Sequence, residues 1–396
     1  MNAVSGGALF VAREGWSLPR EAYVSEPVFA ADLDLLAGRW TLAGHISEAP
    51  RPGDWFIAAL GDEEAIIVRG EDGSLRALAN VCRHRGSRIC VAPRGRSRLL
   101  TCPYHAWSYG LDGGLVAAPQ MDEGFDRSAF ALKSLPLAEI GGLIFIAFSD
   151  APPRLDLARP VLEAMTARFG WAQAQIAGRE SYEVAANWKL VMENYHECYH
   201  CGPAHPEFAQ LHALARPGRR TLTPEADDAT GLADFEDWGL SGLERETARV
   251  MRSELAEGCA TGSRDGAPLA PAMGPAPTLW GRCVFAELGY LSAALAYADH
   301  GVIYRFIPLA PQRTRMEVIW LVEGAARPGA DYDLDALTWL WRVTSEADKT
   351  IIERNQAGVR SRAYTPGPFS RMEPGTRQYV ARYVADLARL GAGAGA

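Results

Sequence analysis

The sequence predicts an α+β protein, in which a small all-β domain precedes a larger domain of antiparallel strands and long helices. Between residues 40 and 150, short segments of alternating apolar and polar residues are separated by turns such as Gly70-Glu71-Asp72-Gly73, a pattern typical of β-hairpins. Beyond residue 280, three more alternating segments are followed by two long segments with helical periodicity. The first pattern indicates the all-β domain and the second indicates the mixed one.

The composition is sufficient for two or three domains with hydrophobic cores. The chain has 396 residues, of which 48% are hydrophobic, and a formal net charge of −8, whereas one domain takes roughly 150 residues. No basic block is present, so we expect no nucleic acid partner. No apolar run reaches the ~20 residues of a membrane helix, so we expect no membrane association. Seven cysteines without a signal-peptide pattern indicate a reducing cytoplasm.

The strands of the first domain follow one another closely. A leader, residues 1–40, precedes them and favours a short helix over residues 28–36. Because the strands are short and separated by turn residues, they predict an all-β domain over residues 41–150. The predicted strands cover residues 40–45, 54–60, 65–69, 75–78, 99–101, 108–111 and 142–148.

The second domain is predicted over residues 181–390. A linker extends to about residue 180; it begins at Ala151-Pro152-Pro153 and contains a helical pattern at 157–169. Residues 215–275 favour loops, with a loop expected at 221–237 and an amphipathic helix at 240–255. The predicted strands cover 281–288, 302–309 and 313–322, and the predicted helices cover 334–354 and 377–390.

Two Cys and two His are arranged as two pairs of metal ligands within the first domain. The pairs are Cys82-Arg83-His84 and, after seventeen residues, Cys102-Pro103-Tyr104-His105. This set can hold a tetrahedral zinc ion. It can equally hold a [2Fe–2S] cluster in which two His replace two Cys on one iron. The spacing does not choose between them, because both need a pair of ligands on each of two loops.

The residues around these pairs resemble the cluster loops of the Rieske oxygenases. The second loop of that family usually reads Cys-Pro-Tyr-His-Gly-Trp, and here Ala106 replaces the glycine. The resemblance implies a [2Fe–2S] cluster with Cys82 and Cys102 on one iron and with His84 and His105 on the other. Neutral His ligands make such a cluster easier to reduce than a four-Cys centre, which suits an electron relay.

A second stretch that can bind metal contains His200 and His205. A strand passes into a helix near residue 190, and Pro203 and Pro206 predict that this helix ends near His200. His205 then lies just beyond the helix end. Two imidazoles five residues apart can lie around one metal ion.

This stretch resembles the acid-x-x-His-x4-His signature of Rieske oxygenase α subunits, in the ring-hydroxylating dioxygenase family. The resemblance implies a catalytic fold with an antiparallel sheet wrapped around long helices. It also implies Fe(2+) held by two His and one carboxylate, with positions left open for dioxygen and substrate. The family takes this carboxylate from a late helix, eight residues before a Gln. Asp348, before Gln356, is therefore the predicted ligand, and Glu346 is its rival.

Glu197 occupies the acidic position of the signature. Ring dioxygenases carry Asp there, between the two metal centres. By resemblance, Glu197 would bridge the partner subunit's His105 to His200 of its own chain, and would fix the orientation of each imidazole. With Glu in place of Asp at this position, the chain resembles the branch of the family that oxidises choline, carnitine and betaine.

The resemblance implies an oxygenase that receives electrons from NAD(P)H through a separate flavin-containing reductase or ferredoxin. In agreement with this, the chain has no GxGxxG fingerprint and no plant-type four-Cys motif with which to supply the electrons itself. Electron transfer between subunits implies a homotrimer or homohexamer. The expected reaction is N-demethylation or oxidation of a quaternary ammonium compound. The alternative is hydroxylation of an aromatic acid or ring. Aromatic rings that could hold a cation are Tyr195, Tyr199, Trp280, Phe285, Tyr290, Tyr304 and Phe306.

Overall fold

Strand pairing separates the chain into an all-β unit and a mixed unit. The computed structural model describes residues 3–5, 9–155, 158–212, 248–274 and 279–393. The smaller unit comprises Ala37–Pro153, and the larger unit comprises Met1–Leu36 together with Arg154–Ala396. The larger unit is therefore discontinuous in sequence. Its N-terminal elements are β1 (Ala3–Ser5), β2 (Val11–Arg13), α1 (Glu21–Val24) and α2 (Glu26–Ala37).

The smaller unit is built from short antiparallel strands in three sheets. The strands are β3 (Thr41–His45), β4 (Asp54–Leu60), β5 (Glu63–Arg69), β6 (Leu75–Ala79), β7 (Arg94–Arg96), β8 (Leu100–Thr101), β9 (Ser108–Tyr109), β10 (Leu115–Ala117), β11 (Ser134–Leu135), β12 (Leu137–Ile140) and β13 (Leu143–Ile146). The strand orders of the three sheets are β11-β6-β5-β4-β7, β10-β9-β8 and β12-β13-β3.

Both faces of the central strand β5 are buried. Successive side chains of a strand point to opposite faces, so Ile66 and Val68 enter one core while Ala65 and Ile67 enter another. The first core also contains the cysteines of both ligand pairs. The hydrophobic core of the smaller unit therefore supports the two ligand loops directly.

The larger unit contains an antiparallel sheet of six strands and several helices. The strands are β14 (Gln175–Val184), β15 (Ala248–Glu254), β16 (Arg282–Leu288), β17 (Ser292–Ala296), β18 (Gly301–Ala310) and β19 (Arg313–Val322). Their order in the sheet is β14-β19-β18-β17-β16-β15. The helices are α3 (Ala158–Arg168), α4 (Trp188–Tyr195), α5 (Cys201–Ala204), α6 (Pro206–Leu211), α7 (Leu334–Val359) and α8 (Pro374–Gly393). This arrangement of antiparallel strands and long helices confirms the predicted fold class.

The prediction of a helix over residues 240–255 is wrong where the structure describes this segment. Residues 248–254 form β15, which pairs with β16 along its whole length. This long-range pairing satisfies the backbone groups of the segment and overrides its local helical pattern. Residues 240–247 and the loop expected at 221–237 lie outside the described residues.

Helix α7 buries one stripe of side chains. Asp333 caps its N-terminus by accepting a hydrogen bond of 2.8 Å from the backbone N–H of Ala336. Leu337, Trp341 and Asp348 all lie on the buried stripe, whose spacing follows the helical repeat. A carboxylate is thus held inside the larger unit by the same periodicity that buries its apolar neighbours.

Helices α2, α4 and α8 are joined at the buried carboxylate of Asp32. It accepts hydrogen bonds from Trp188 Nε1 at 3.0 Å and from the Tyr383 hydroxyl at 2.7 Å. It also forms an ion pair with Lys189, and both charged side chains are fully buried. Burial lowers the pKa of Lys189, while the charge of Asp32 opposes that shift. Among the helices of the described residues, none combines the length and apolar character needed to cross a membrane.

Candidate functional site

The two ligand loops of the smaller unit have the same backbone geometry. The N–H of Cys82 donates to Ser87 and that of Cys102 donates to Trp107, both at 2.8 Å. In each loop the fifth residue donates back to the cysteine carbonyl and adopts a left-handed conformation, with φ of 78° at Gly86 and 59° at Ala106. Ala106 therefore occupies a backbone position that favours glycine.

The sulfur atoms are buried and the imidazoles are exposed. Cys82 and Cys102 are 3% and 2% exposed, whereas His84 and His105 are exposed. The two imidazole centroids are 4.7 Å apart, and His84 stacks on Trp107 at 4.8 Å. Sequence reasoning thus identified four side chains that the structure brings to one place.

The surroundings of the Cys102 sulfur favour its thiolate. The Tyr109 hydroxyl lies 3.2 Å from Cys82 Sγ. Burial opposes ionisation of Cys102, but N–H groups of Tyr104 and His105 and the side chain of Cys82 outweigh it and lower the pKa of this thiol. Two cysteine sulfurs and two imidazoles are the donor set of a [2Fe–2S] cluster of mixed ligation.

Asn80 is a supporting residue whose role sequence reasoning missed. Its Oδ1 accepts hydrogen bonds from the backbone N–H groups of Ile89 and Cys90 at 3.0 and 2.9 Å. Its Nδ2 donates to Glu64 and to the carbonyl of Cys90, both at 2.8 Å. A buried Asn two residues before a ligand Cys was the available signal, but its partners are up to sixteen residues away.

In the larger unit, His200 and His205 flank the short helix α5. The preceding helix α4 ends at Tyr195 and not near His200, so the helix predicted to reach His200 is shorter than expected. His200 is the N-cap of α5 and His205 its C-cap. Pro206 then opens α6, where proline is well tolerated because a first-turn N–H needs no partner. The two histidines therefore lie on turns at either end of one helical turn.

Asp348 of α7 meets both histidines. Its Oδ1 lies 3.2 Å from His200 Nε2 and 3.1 Å from His205 Nε2. Two N or O donors at about 2.1 Å from one metal ion are separated by about 3.0–3.4 Å. Both separations between the carboxylate and the imidazoles are therefore those that a shared metal ion requires. The rival Glu346 is exposed.

The electrostatics of this site favour a bound cation. Burial opposes the charged form of His200, but hydrogen bonds to Asp348 and Glu197 outweigh it and raise its pKa to about 10. Burial likewise opposes ionisation of Asp348, but His200 and His205 lower its pKa. The buried Asp348 carboxylate is therefore stabilised by positive charge in the site, which protons on the imidazoles or a divalent metal ion can supply.

Glu197 orients His200. One carboxylate oxygen lies 2.6 Å from His200 Nδ1, and the other accepts from the backbone N–H of His200 at 3.1 Å and from that of Tyr199. This contact keeps a proton on Nδ1, so Nε2, which faces Asp348, is the nitrogen that can exchange its proton for a metal ion.

Three aromatic rings lie together near this centre. The ring of Tyr195 is 5.0 Å from that of Tyr304 and 4.7 Å from that of Phe306. Burial raises the pKa of Tyr304, and the nearby charge of Asp348 adds to the shift. Of the other aromatic candidates, Tyr199 is 52% exposed. We define the aromatic cluster as half-buried Tyr195 together with buried Tyr304 and Phe306.

Comparison with known proteins identifies both units. Residues 39–136 match the model of the Rieske [2Fe-2S] domain. Residues 172–389 match the model of the ring hydroxylating alpha subunit (catalytic domain). The chain belongs to the ring-hydroxylating α-subunit family of Rieske oxygenases. This membership confirms the predicted class, a Rieske non-heme iron oxygenase with a [2Fe–2S] domain and a catalytic domain that uses mononuclear iron.

Two relatives resemble this oxygenase over most of its length. The glycine betaine monooxygenase oxygenase subunit of Chromohalobacter salexigens is 36% identical over 378 residues, which cover 90% of this chain and 82% of the relative. The subunit of the same name from Pseudomonas aeruginosa is 33% identical over 382 residues, 90% and 85% of the two chains. The solved structure of the quaternary ammonium Rieske monooxygenase CntA with L-carnitine has the same fold, with a TM-score of 0.72, 23% identity and 96% coverage of both chains.

Proposed function

We propose that this oxygenase hydroxylates an N-methyl group of a small quaternary ammonium compound of the betaine class. The observation that carries the proposal is the aromatic cluster of Tyr195, Tyr304 and Phe306 near the Asp348 carboxylate. A quaternary cation has no N–H to donate, so ring faces and carboxylates are its natural partners, at about 0.5–2 kcal/mol per ring. The names of the two relatives described above support the same substrate class.

In this proposal the two units carry separate metal centres, with residues 41–150 and 181–390 as the functional domains. His200, His205 and Asp348 would hold Fe(2+), and the two Cys-His pairs would hold the cluster. When bound, the two groups supply single electrons and the activation of dioxygen. Glu197 fixes the proton on His200 Nδ1, and its carboxylate is the group that would contact the partner subunit's His105 in a homotrimer or homohexamer.

The proposed reaction is balanced by dioxygen, two electrons and two protons. One oxygen atom enters a C–H bond of the N-methyl group, and the other leaves as water. The resulting hemiaminal releases formaldehyde and a proton, leaving a tertiary amine. The electrons come from NAD(P)H through a flavin-containing reductase or a ferredoxin, because the family members named above are oxygenase subunits.

Formaldehyde release tests the substrate class. The purified protein, with a broad-acting reductase, NADH and air, is supplied with glycine betaine, choline, carnitine and benzoate. We expect formaldehyde and NADH consumption with a trimethylammonium compound. An aromatic diol from benzoate without formaldehyde would instead support the alternative, ring hydroxylation. Tyr304→Leu should raise KM for the trimethylammonium substrate about 5–30-fold, whereas Tyr304→Phe, which keeps the ring, should change it much less.

Iron content tests the ligand assignment. The wild-type chain should hold about three irons, and Asp348→Ala should hold about two, because only the cluster remains. Glu346→Ala is the matched control on the same helix and should keep all three. If Asp348→Ala kept its third iron and Glu346→Ala lost it, the assignment would be wrong.

A further inference from the structure

A cysteine lies next to the proposed iron ligands and has no part in the function proposed above. Cys201 is the first residue of α5 and is 2% exposed. Its Sγ lies 4.0 Å from His200 Nε2. The ligand atoms of His200, Cys201 and His205 all lie within 4.8 Å of one another. The thiol therefore lies beside the two imidazoles of the proposed metal site.

We propose that Cys201 is a fourth metal ligand, used when the site takes a thiophilic divalent cation such as Zn²⁺. The inference rests on the proposed metal site of His200, His205 and Asp348, and adds one sulfur to its donor set. Around a tetrahedral Zn²⁺, with nitrogen at about 2.0–2.1 Å and sulfur at about 2.3 Å, the N···S separation is about 3.5 Å. The observed 4.0 Å between Cys201 Sγ and His200 Nε2 needs a small side-chain movement to reach it.

The extra donor changes what the site can do with different cations. Two His and one carboxylate leave positions open, as a reactive iron site requires. Two His, one carboxylate and one thiolate make a closed four-coordinate set, the arrangement of structural zinc sites. Ligation releases the thiol proton to solvent and involves no redox change. A thiophilic cation held in this way would occupy the site without leaving room for dioxygen or substrate, and would act as an inhibitor.

The neighbouring Cys198 provides the matched control. It lies three residues before Cys201, in the same small apolar cluster with Ala209 and Phe208. Its sulfur is absent from the group of ligand atoms around His200 and His205. A cysteine that merely fills space would tolerate serine equally at positions 198 and 201, whereas a ligand would not.

Zinc K-edge X-ray absorption tests the proposal directly. The iron-loaded protein is depleted of its mononuclear iron with a chelator, keeps its cluster, and receives one equivalent of Zn²⁺. The method sees only zinc, so the cluster does not interfere. We expect one sulfur neighbour at about 2.3 Å in the wild-type protein and in Cys198→Ser. In Cys201→Ser and Cys201→Ala we expect only nitrogen and oxygen neighbours.

Competition with a chelator gives an independent measure. The affinity for Zn²⁺ should fall at least about tenfold in Cys201→Ser and stay unchanged in Cys198→Ser. The Zn²⁺ concentration that halves turnover should rise by a similar factor. An unchanged zinc spectrum and affinity in both Cys201 variants would overturn the proposal. One combination of results would separate the two proposals. If Asp348→Ala lost both zinc and iron while the wild-type protein showed no sulfur neighbour of zinc, the iron site would be upheld and only the role of Cys201 as a ligand would be rejected.

Discussion

Replacing the buried Asp32 by Asn should strongly destabilise the larger unit. The substitution leaves the fully buried charge of Lys189 without its partner, and breaking such a pair costs about 3–5 kcal/mol. The hydrogen bonds from Trp188 and Tyr383 then meet a neutral acceptor, which adds to the loss. At about 2–4 °C per kcal/mol for a unit of this size, the melting temperature should fall by about 6–20 °C.

Differential scanning calorimetry of the intact chain measures this effect. Asp34→Asn is the matched control, because Asp34 is exposed on the same helix and should change stability by less than about 0.5 kcal/mol. The double variant Asp32→Asn/Lys189→Met removes both charges and should recover at least half of the loss, since no unpaired charge remains. A loss below about 1 kcal/mol in Asp32→Asn, or no recovery in the double variant, would refute the reasoning.

Three further predictions concern single residues. Ala106→Gly should stabilise the protein by about 0.5–1 kcal/mol in thermal unfolding, because removing the strain of a left-handed alanine outweighs the added entropy of the unfolded chain. Gly86→Ala, at the equivalent position of the other loop, should destabilise the protein for the same reason. Tyr109→Phe, which deletes the hydroxyl near Cys82 Sγ, should lower the reduction potential of the cluster by about 20–60 mV in a redox titration. Burial raises the pKa of Glu193 from 4.5 to about 8. The protonated side chain therefore contributes fully to the free energy of unfolding below pH 4.5, and this contribution is lost as the pH rises towards 8. In the wild-type protein the free energy of unfolding should fall by up to about 1.4 kcal/mol per pH unit over this range, and Glu193→Gln should abolish the fall. Free energies of unfolding measured at pH 5 and pH 8 for both proteins test this.

The sequence predicted best the features that are encoded locally. The strand predicted over residues 54–60 matches β4. The ligand pairs are short motifs, so their residues could be named before the fold was known. Asp348 could be named only through resemblance, because its contact with His205 joins residues 143 positions apart.

Long-range pairing explains what the sequence did not reveal. Strand β15 exists because β16 pairs with it, and no local pattern encodes that partner. The end of α4 at Tyr195 was also missed, since Pro203 is tolerated inside the separate short helix α5. The polar network around Asp32 links residues that are 156 to 351 positions apart, so Asp32 and Lys189 look like ordinary surface charges in the sequence.

The discontinuity of the larger unit has a consequence for the growing chain on the ribosome. Asp32 is synthesised 351 residues before its partner Tyr383, which corresponds to about 20–70 s at about 5–20 residues per second. All of Ala37–Pro153 emerges within that interval, so the smaller unit can fold while the first helices still lack their final partners. Nascent chains stalled before residue 374 should therefore contain a folded β-domain beside an N-terminal segment that proteases still cut.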